Sequence, residues 1–549
     1  MQVLIPMSGF GERFRRVGYE LPKPLIEVEG KPIVSHVVDL FDSSCEFVFV
    51  VNQEHLENSD YGLADTLRNI APRCKIVPIP PHRLGPVHAC LAAADILEPN
   101  QEVFVNYADF TCIWSFQDFI EDARNRGLDG SVPAYKGFHP HSAGSTNYAY
   151  IKESNLQLLG IREKQPFTSD KTKEFASTGG YYFKSATLMK QYFSQQIQLD
   201  LSVNGEFYVS SAFELMARDS LKVGVYEVHH FMQWGTPEDL KEYNYWSNIF
   251  RKLADWGHES IAVDSSGPVF VLATGKGERF STVGYETPKP ALTIGGKSLL
   301  NQVTRVAQTG TKVRVSILKG MEAVFSSNPD ASFFQFSSIT DGQASSARKL
   351  LDESGLIERV PFSVLPSDTI FADNSGLLRD LVHRSGDRPF VIPWVCDPTP
   401  AALRSPKSFG WIVNSGMGPL TYVKSEPHNS NAKIMTGAFT FSSPDDFRKL
   451  YDSLRSLDIR VNGELYLDSL VTLGLQLGFD VKLFEPKISI SLGTPYEFET
   501  FRYWQCAFDQ WPSHPYRLEL DPFVDKQDLD LVRKELRNTR HESSEWSIN

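Results

Sequence analysis

The sequence lacks a hydrophobic run long enough to cross a membrane. Hydrophobic residues make up 41% of the 549 positions, yet no apolar stretch approaches the roughly 20 residues that a transmembrane helix needs. The N-terminal stretch MQVLIPMSGFGERF has no basic segment before its short apolar core, so we do not expect a secretory signal. We therefore predict a protein that has no membrane partner.

The sequence also lacks paired cysteines and an excess of positive charge. Its six cysteines are scattered without a CxxC pair, which favours reduced thiols in a cytoplasmic protein over a disulfide framework. The chain has 67 acidic and 55 basic residues, for a formal charge of −12. This balance argues against general affinity for nucleic acid or anionic membranes, but it leaves room for a local basic pocket that binds phosphates.

The sequence does contain an internal repeat, in which the same motifs occur twice. The stretch GFGERFRRVGYELPKP begins at Gly9, and GKGERFSTVGYETPKP begins 266 residues later at Gly275. VNGEFY, which begins at Val203, returns as VNGELY 258 residues later at Val461, and the GTP and YW sequences keep that second offset. Because order and spacing persist over roughly 240 residues, we predict two domains of common ancestry rather than a solenoid of short repeats.

The predicted domains span 1–264 and 265–512, followed by a polar tail at 513–549. The boundary is placed at the small polar stretch DSSGP, just before the apolar run VFVLAT. In the first copy, strand-like runs such as QVLIPM and EFVFVV alternate with helical patterns such as PIVSHVVDLF and GPVHACLAAADIL. This alternation predicts an α/β fold whose parallel or mixed sheet is covered on both faces and binds ligands at strand carboxyl ends.

The glycine loop after the first predicted strand matches neither of two common phosphate-binding motifs. A Walker A loop needs GxxxxGK[ST], and the GGKS of the second copy lacks the first glycine. A Rossmann fingerprint needs a third glycine where Phe14 stands. A loop that wraps a nucleoside triphosphate fits better, because Gly9 and Gly11 let backbone N–H groups approach phosphates while Arg13 and Lys23 supply charge. The second copy repeats this set as Gly275, Gly277, Arg279 and Lys289.

With this loop, the sequence resembles the sugar-phosphate nucleotidylyltransferase family, whose signature is GxGxR followed by PKP. Further stretches resemble that family in the same order. They are RLGPVHACLAAADIL, where Gly85 would contact the base; VNYADF, which would present Asp109 to a metal; IREKQP, where Lys164 would meet the acceptor phosphate; and STGGYYF and VNGEFY, which would place Gly179 and Glu206 in the acceptor pocket. The resemblance implies two tandem Rossmann-like nucleotidyltransferase domains with mixed central sheets.

The resemblance also implies a reaction. A nucleoside monophosphate would pass from an NTP to a sugar phosphate or similar phosphomonoester, with release of pyrophosphate and with Mg²⁺ as cofactor. Arg13 would steady the pyrophosphate, Lys23 would stabilise charge at the α-phosphorus, Asp109 would hold Mg²⁺, and Lys164 would bind the acceptor phosphate. The product would be an activated sugar for polysaccharide biosynthesis, as in capsule-type enzymes. A cytidylyltransferase for a non-sugar phosphate and a non-catalytic nucleotide-binding scaffold are the alternatives, and a homo-oligomer is left open.

The first copy departs from the family pattern at one position. Gln233 stands where the family often has a second metal-binding aspartate. Mg²⁺ is therefore expected on Asp109, phosphates and water, with Glu206 or Asp239 as further candidates. His139 and His141 have no third ligand at a suitable spacing, and we expect them in a surface loop rather than in a metal site.

The second copy departs at two segments. Asp368 is the expected counterpart of Asp109, and the triphosphate loop is intact. However, IREKQP becomes YVKSEP, which moves the lysine to Lys424, and GPVHA becomes GQASS. A degenerate, a regulatory and a differently specific second site are all compatible with these changes.

Overall fold

The computed structural model describes residues 1–144, 147–257, 259–307, 310–321, 331–357, 359–415, 418–426 and 431–538. Contacts between Cα atoms divide the chain into two compact units. The first contains Met1–Asn244 with Gln510–His514, and the second contains Tyr245–Asp509 with Pro515–Asn538. The division near residue 244 falls within a helix at Pro237–Ala254, whereas the boundary predicted from the repeat lies at 264.

The first unit is a mixed α/β structure. Its strands are β1 Gln2–Met7, β2 Glu27–Val28, β3 Lys31–Pro32, β4 Glu46–Asn52, β5 Lys75–Ile79, β6 Val103–Asn106, β7 Phe110–Ile113, β8 Gly130–Tyr135, β9 Ala149–Ser154, β10 Gln157–Glu163, β11 Phe175–Ser177, β12 Gly180–Phe183, β13 Val223–Glu227 and β14 His230–Gln233. Its helices are α1 Glu12–Arg16, α2 Ile33–Val38, α3 Gln53–Glu57, α4 Leu63–Ile70, α5 Pro86–Ala92, α6 Phe116–Asn125, α7 Ala186–Gln198, α8 Val209–Arg218 and α9 Pro237–Ala254.

Ten of these strands form the central sheet of the first unit. Their order is β11-β9-β10-β13-β8-β12-β6-β1-β4-β5. Strand β1 is parallel to β4 and β6, while β12 is antiparallel to β6 and β8, so the sheet is mixed. Leu4 packs in one hydrophobic cluster, whereas Val3 and Ile5 pack in another. Since neighbouring side chains of a strand point to opposite faces, both faces are covered, as the alternation of strands and helices predicts.

The second unit has the same mixture of elements. Its strands are β15 Val269–Ala273, β16 Thr293–Ile294, β17 Lys297–Ser298, β18 Val313–Leu318, β19 Ala331–Phe336, β20 Phe362–Pro366, β21 Thr369–Ala372, β22 Phe390–Cys396, β23 Gly410–Ser415, β24 Gly418–Val423, β25 Lys433–Phe441, β26 Asp480–Val481 and β27 Ile488–Ser491. Its helices are α10 Glu278–Thr282, α11 Leu299–Thr304, α12 Gln343–Glu353, α13 Leu377–Ser385, α14 Pro400–Arg404, α15 Pro444–Ser456, α16 Asp468–Gln476, α17 Pro495–Gln510 and α18 Leu529–Asn538.

A nine-stranded mixed sheet lies at the centre of the second unit. Its main path is β19-β18-β15-β20-β25-β22-β26, and the hairpin of β23 and β24 joins through β25. Strand β15 is parallel to β18 and β20, and β20 is antiparallel to β25. The pairing of Phe439 with Val364 matches the pairing of Tyr181 with Val105 in the first unit, so equivalent positions can be compared between the sheets.

A short segment from late in the chain completes the core of the first unit. Trp511 is only 6% exposed. Its ring centroid lies 5.2 Å from that of His36 and 6.1 Å from that of Trp234. The packing of α2 and of the segment before α9 therefore depends on a residue that comes after residues 245–509 of the second unit in sequence.

Most of the segment predicted as a polar tail, Pro515–Asn538, belongs to the second unit. Tyr516 and Phe523 are buried, and Arg305 donates hydrogen bonds to the carbonyl oxygens of Pro522 at 2.9 Å and Phe523 at 3.3 Å. Because the tail is mostly polar in composition, the sequence does not indicate that these few apolar residues are buried. Residues 539–549 of the predicted tail lie outside the described residues.

Two predictions from absences can be compared with the structure. All six cysteines are free thiols, as their scattered spacing indicates. Among the described residues, no helix combines the length and apolarity that a membrane crossing requires.

Candidate active site

The glycine loop lies between β1 and α1 and leaves open space above its backbone. Gly11 has a φ of +65° at the start of α1, a conformation that favours glycine. Phe14 is buried and fixes the helix to the core. A Cβ atom at Gly9 would meet nothing within 4 Å, and the Arg13 side chain is exposed beside the loop. The loop thus has the room and the charge expected of a phosphate-binding turn.

Lys23 and Asp109 are in direct contact at the carboxyl-end edge of the sheet. Lys23 begins a short 3₁₀ turn after Pro22, and its Nζ donates to Asp109 Oδ2 at 2.6 Å and to the Gly235 carbonyl oxygen at 3.2 Å. The two side chains are 21% and 31% exposed. Because an ammonium group has three N–H donors, one remains for a phosphate oxygen.

Three oxygen-bearing side chains surround Gly235. A Cβ atom at this glycine would lie 3.5 Å from Asp109 Oδ2, 3.7 Å from Asp239 Oδ2 and 3.7 Å from Gln233 Oε1. Asp239 Oδ2 already accepts hydrogen bonds from the Thr236 backbone N at 2.9 Å and from its hydroxyl at 2.7 Å, and burial raises the pKa of Asp239. Asp239 is therefore engaged at the start of α9, and Asp109 has the carboxylate that fits a metal.

The predicted acceptor residues form a chain of contacts at the end of β10. Lys164 has a φ of +59° and donates to the Tyr208 hydroxyl at 2.6 Å, which in turn donates to Glu206 Oε2. Burial raises the pKa of Tyr208, the Glu206 carboxylate raises it further, and the Arg13 guanidinium opposes them. The charge of the triphosphate loop therefore acts on the acceptor side of the site.

A buried carboxylate lies behind this chain of contacts. Glu163 Oε2 accepts a 2.7 Å hydrogen bond from the Ser210 hydroxyl. Burial raises the pKa of Glu163 to about 6, while the Ser210 hydrogen bond and the Lys164 ammonium lower it. Glu163 and Tyr208 escaped the sequence prediction, although each is adjacent to or within a segment that carries the family resemblance.

The two other predicted glycines hold segments of the site together. At Gly85, with a φ of +87°, a Cβ atom would lie 2.6 Å from the Phe207 backbone N and 2.7 Å from its O. At Gly179, with a φ of +96°, a Cβ atom would lie 2.9 Å from the ring of Tyr107. Gly85 therefore permits close packing against the backbone next to Glu206, and Gly179 permits close packing against the ring of Tyr107.

Sequence reasoning missed a contact between two loops and misplaced a histidine. Arg83 pairs with Glu12, which joins the segment before α5 to the glycine loop. The expectation of a surface loop at His139 was wrong, because this side chain is 1% exposed and its ring centroid lies 4.4 Å from that of Tyr135, with the two rings tilted by 50°. Within the described residues, no cluster of three or more His, Cys, Asp or Glu side chains forms a metal-type group.

The second unit repeats the loop and the lysine–aspartate contact. Gly277 has a φ of +65° at the start of α10, Arg279 is exposed, and a Cβ atom at Gly275 would meet nothing within 4 Å. Lys289 Nζ donates to Asp368 Oδ2 at 2.6 Å. Burial raises the pKa of Asp368, but the Lys289 ammonium outweighs burial and holds this pKa below its usual value.

Comparisons with known proteins agree with the motifs. Residues 3–167 match the family model of the MobA-like NTP transferase domain. The chain is 24% identical to mannose-1-phosphate guanyltransferase beta-A of Xenopus laevis over 49% of this chain and 70% of that protein. It is 25% identical to the mannose-1-phosphate guanylyltransferase catalytic subunit beta of Dictyostelium discoideum over 44% of this chain and 62% of that protein, so the alignment spans less than two thirds of that relative.

Solved structures were compared as well. A nucleoside-diphosphate-sugar pyrophosphorylase from Vibrio cholerae aligns with a TM-score of 0.37 at 18% identity, covering 44% of this chain and 98% of that protein. The family-model match lies wholly within the first unit, which also contains the glycine loop, Lys23 and Asp109. The match to the family model and the similarity to the two mannose-1-phosphate transferases confirm the resemblance of this sequence to the sugar-phosphate nucleotidylyltransferase family.

Proposed function

We propose that the first unit transfers a nucleoside monophosphate from an NTP to the phosphate of a small acceptor and releases pyrophosphate. The observation that carries this proposal is the contact between Lys23 and Asp109 beside the open glycine loop. It joins a cation suited to phosphate and a carboxylate suited to a metal at one sheet edge. Lys164, held by Tyr208, supplies a further cation for the acceptor phosphate.

The proposed chemistry needs no protein nucleophile. An oxygen of the acceptor phosphate attacks the α-phosphorus and forms a P–O bond, while the bond from the α-phosphorus to the bridging oxygen breaks and pyrophosphate leaves with that oxygen. Lys23 would stabilise the charge that gathers on the α-phosphate, and Arg13 would hold the departing pyrophosphate. Lys164 would align the acceptor, because positioning and electrostatics supply most of the catalysis in such transfers.

Mg²⁺ fits the donor set beside Lys23. It is usually bound by one or two carboxylates together with substrate phosphates and water, and Asp109 offers such a carboxylate next to the phosphate loop. When bound, Mg²⁺ would neutralise part of the charge of the triphosphate. We assign Asp109 alone as the protein ligand, because Asp239 is engaged by Thr236 and Gln233 is uncharged.

We further propose a sugar phosphate as the acceptor and an NDP-sugar for polysaccharide biosynthesis in the cytoplasm as the product. Two relatives are named mannose-1-phosphate guanylyltransferases or guanyltransferases, so GTP with mannose 1-phosphate is the first pair to test. We also propose that 1–264 and 265–512 are tandem copies of one domain. The equal 2.6 Å contacts of Lys23 with Asp109 and of Lys289 with Asp368 support this proposal.

The experiment is a screen for pyrophosphate release with four NTPs, Mg²⁺ and a panel of sugar 1-phosphates and other phosphomonoesters. We expect turnover only when an NTP, an acceptor and the divalent cation are all present. Lys31→Ala is the matched control, because Lys31 pairs with Asp39 at the surface. Turnover with CTP and a non-sugar phosphate would select that alternative. NTP binding without turnover of any pair would contradict the proposal and favour a scaffold.

A further inference from the structure

The second unit keeps an acceptor lysine despite its altered sequence. Lys424 follows β24 with a φ of +50°, and Lys164 follows β10 with a φ of +59°. The Lys424 Nζ lies 5.5 Å from the ring centroid of Tyr466, and that of Lys164 lies 4.5 Å from the ring of Tyr208. Both lysines therefore leave a strand in the same left-handed conformation and meet the tyrosine of the VNGE(F/L)Y stretch.

Lys424 is surrounded by charged residues that correspond to those of the first site. Burial lowers the pKa of Lys424, and Arg279 lowers it further, while Asp468, Glu464 and Asp368 raise it. Burial also raises the pKa of Tyr466 to about 12, together with the carboxylate of Glu464. The acceptor lysine thus lies within electrostatic reach of the triphosphate-loop arginine and of the metal-type aspartate.

The rewritten GQASS segment keeps the packing of its glycine. A Cβ atom at Gly342 would lie 2.4 Å from the Leu465 O and 2.5 Å from its N, just as one at Gly85 would collide with Phe207. Ala344 N donates to the Leu465 O at 3.0 Å, and Val87 N donates to the Phe207 O at 3.1 Å. The base segment and the acceptor segment are therefore joined in the same way in both units.

The buried carboxylate behind the lysine has moved to a different element. In the first unit it is Glu163, at the end of β10, and Ser210 of α8 donates to it. In the second unit the position before Lys424 is Val423, and the carboxylate is Asp468 at the start of α16. The VNGE(F/L)Y offset of 258 residues relates Asp468 to Ser210. Each unit thus has one buried acid behind its acceptor lysine, on strand β10 in the first unit and on helix α16 in the second.

A third position changes along with this exchange. Ala149 lies opposite Glu163 in the pair of β9 and β10, and Gly410 lies opposite Val423 in the pair of β23 and β24. A Cβ atom at Gly410 would lie only 2.0 Å from Asp468 Oδ2. The glycine therefore makes room for the displaced carboxylate, which a pocket without a function would have no reason to accommodate.

The second unit also has fewer hydroxyl groups in the packing near its acceptor lysine. The sheet register relates Tyr181 to Phe439. At the offset of VNGE(F/L)Y, Ser177 corresponds to Met435. A Cβ atom at Gly179 faces Tyr107, whereas one at Gly437 faces Pro366 at 3.5 Å. The residues around the acceptor lysine therefore differ between the two units, and we expect the two sites to prefer different acceptors.

We propose that the second unit contains a second nucleotidyl-transfer site whose acceptor is a phosphomonoester different from the acceptor of the first unit. Lys424 holds the acceptor phosphate, and Asp468 positions Lys424. The same bonds form and break as at the first site. One P–O bond forms between the acceptor phosphate and the α-phosphorus, and the bond from the α-phosphorus to the bridging oxygen breaks to release pyrophosphate. This inference goes beyond the function proposed for the first unit.

The test uses the full-length chain with its first site disabled by Lys23→Ala and Lys164→Ala. Pyrophosphate release is measured with ATP, GTP, CTP and UTP in the presence of Mg²⁺, against sugar 1-phosphates, deoxysugar 1-phosphates and simple alkyl phosphates. We expect turnover of at least one acceptor that differs from the preferred acceptor of the chain with Lys289→Ala and Lys424→Ala. Adding Lys289→Ala should lower its kcat/KM by about 100-fold or more, which is the scale of lost transition-state electrostatics.

Variants around Asp468 test the positioning role. Asp468→Asn and Gly410→Ala should each raise the acceptor KM by about tenfold while changing kcat less, because both disturb the group that holds Lys424. Lys349→Ala, at a surface lysine that pairs with Glu353, is the matched control and should match the parent chain. Equal KM values for the parent chain and Asp468→Asn would overturn this role, and melting temperatures would identify a variant that fails to fold.

Three outcomes would overturn the second site. They are turnover by wild type but none by the chain with the first site disabled, turnover that survives Lys289→Ala, and identical acceptor preferences of the two sites. In the reciprocal chain, Lys289→Ala and Lys424→Ala disable the second site, so its turnover measures the first site alone. Failure of the function proposed for the first unit can therefore be distinguished from failure of this inference. If wild type turns over no pair, the second transfer site is overturned together with the function proposed for the first unit, however many NTP molecules the chain binds.

Discussion

Lys23 donates a 2.6 Å hydrogen bond to Asp109, a residue 86 positions further along the chain. The proposed reaction uses both partners, the lysine toward the α-phosphate and the aspartate toward Mg²⁺. The two charged groups of the site are therefore already adjacent before substrate binds. Several measurable effects depend on this arrangement.

Removing either partner should reduce catalysis strongly. In a chain whose second site is disabled by Lys289→Ala and Asp368→Ala, we expect Lys23→Ala and Asp109→Ala each to lower kcat/KM by about 100-fold or more, because transition-state charge loses its stabilisation. Steady-state pyrophosphate release with an identified pair checks this effect, and Lys31→Ala should leave the rate near that of the parent chain. Parent rates in either site variant would refute the assignment.

Glu206 should act on acceptor binding. It accepts a hydrogen bond from Tyr208, which in turn accepts one from Lys164. Glu206→Ala should therefore raise the acceptor KM by about tenfold, with a smaller change in kcat, because the lysine loses its support in the ground state and transition state alike. Initial rates over a range of acceptor concentrations separate these constants. A large drop in kcat at unchanged KM would contradict the role.

Gly85 should be needed for stability. A Cβ atom there would collide with the Phe207 backbone at 2.6 Å, and the φ is +87°, so Gly85→Ala should cost about 2–4 kcal/mol of unfolding free energy. Gly62→Ala is the matched control, because Gly62 has a φ of +57° and open space around its Cβ position. It should cost only about 1–2 kcal/mol, for the backbone alone. Urea denaturation measures both, and equal losses would show that the close packing is unimportant.

Glu163 should make the stability of the first unit depend on pH. Burial raises the pKa of Glu163 from an ordinary 4.5 to about 6, so the folded protein holds this proton more tightly than the unfolded chain. The raised pKa adds about 2 kcal/mol to the free energy of unfolding below pH 4.5, and this stabilisation is lost as the pH rises through 6. Comparing wild type with Glu163→Gln by urea denaturation from pH 4 to 7 isolates it. Parallel profiles would exclude the shift.

The two units should contribute unequally to any one substrate pair. For the acceptor of the first unit, we expect Lys23→Ala to abolish most turnover and Lys289→Ala to leave it nearly unchanged, because Lys289 serves a site with a different acceptor pocket. Nucleotide binding to the second unit should persist in Lys23→Ala. The asymmetry would be wrong if Lys289→Ala lost as much activity as Lys23→Ala, or if Lys23→Ala kept about half of it.

Much of the fold could be predicted from local sequence. The runs QVLIPM and EFVFVV are strands β1 and β4, because continuous apolar runs suit a sheet buried on both faces. The glycine loop, Lys23 and Asp109 could also be placed, since the first follows β1 and the last follows β6. The family resemblance supplied their roles, and the structure adds their contact.

The remaining features depend on contacts between distant segments. The sequence could not reveal that Asp468 takes over from Glu163, because the two acids lie on different elements and only the packing behind the lysine relates them. His139 is buried by Tyr135, which no local pattern indicates. The tail is polar in composition, yet Tyr516 and Phe523 are buried, and Pro515–Asn538 belongs to the second unit.

The position of Trp511 has a consequence for synthesis on the ribosome. The first unit is continuous as far as Asn244, but its core includes an indole that is translated 267 residues later. At about 5–20 residues per second, this delay lasts tens of seconds. During that time, His36 and Trp234 lack one of their aromatic neighbours. The core of the newly made first unit is therefore completed only after residues 245–509 of the second unit have been synthesised.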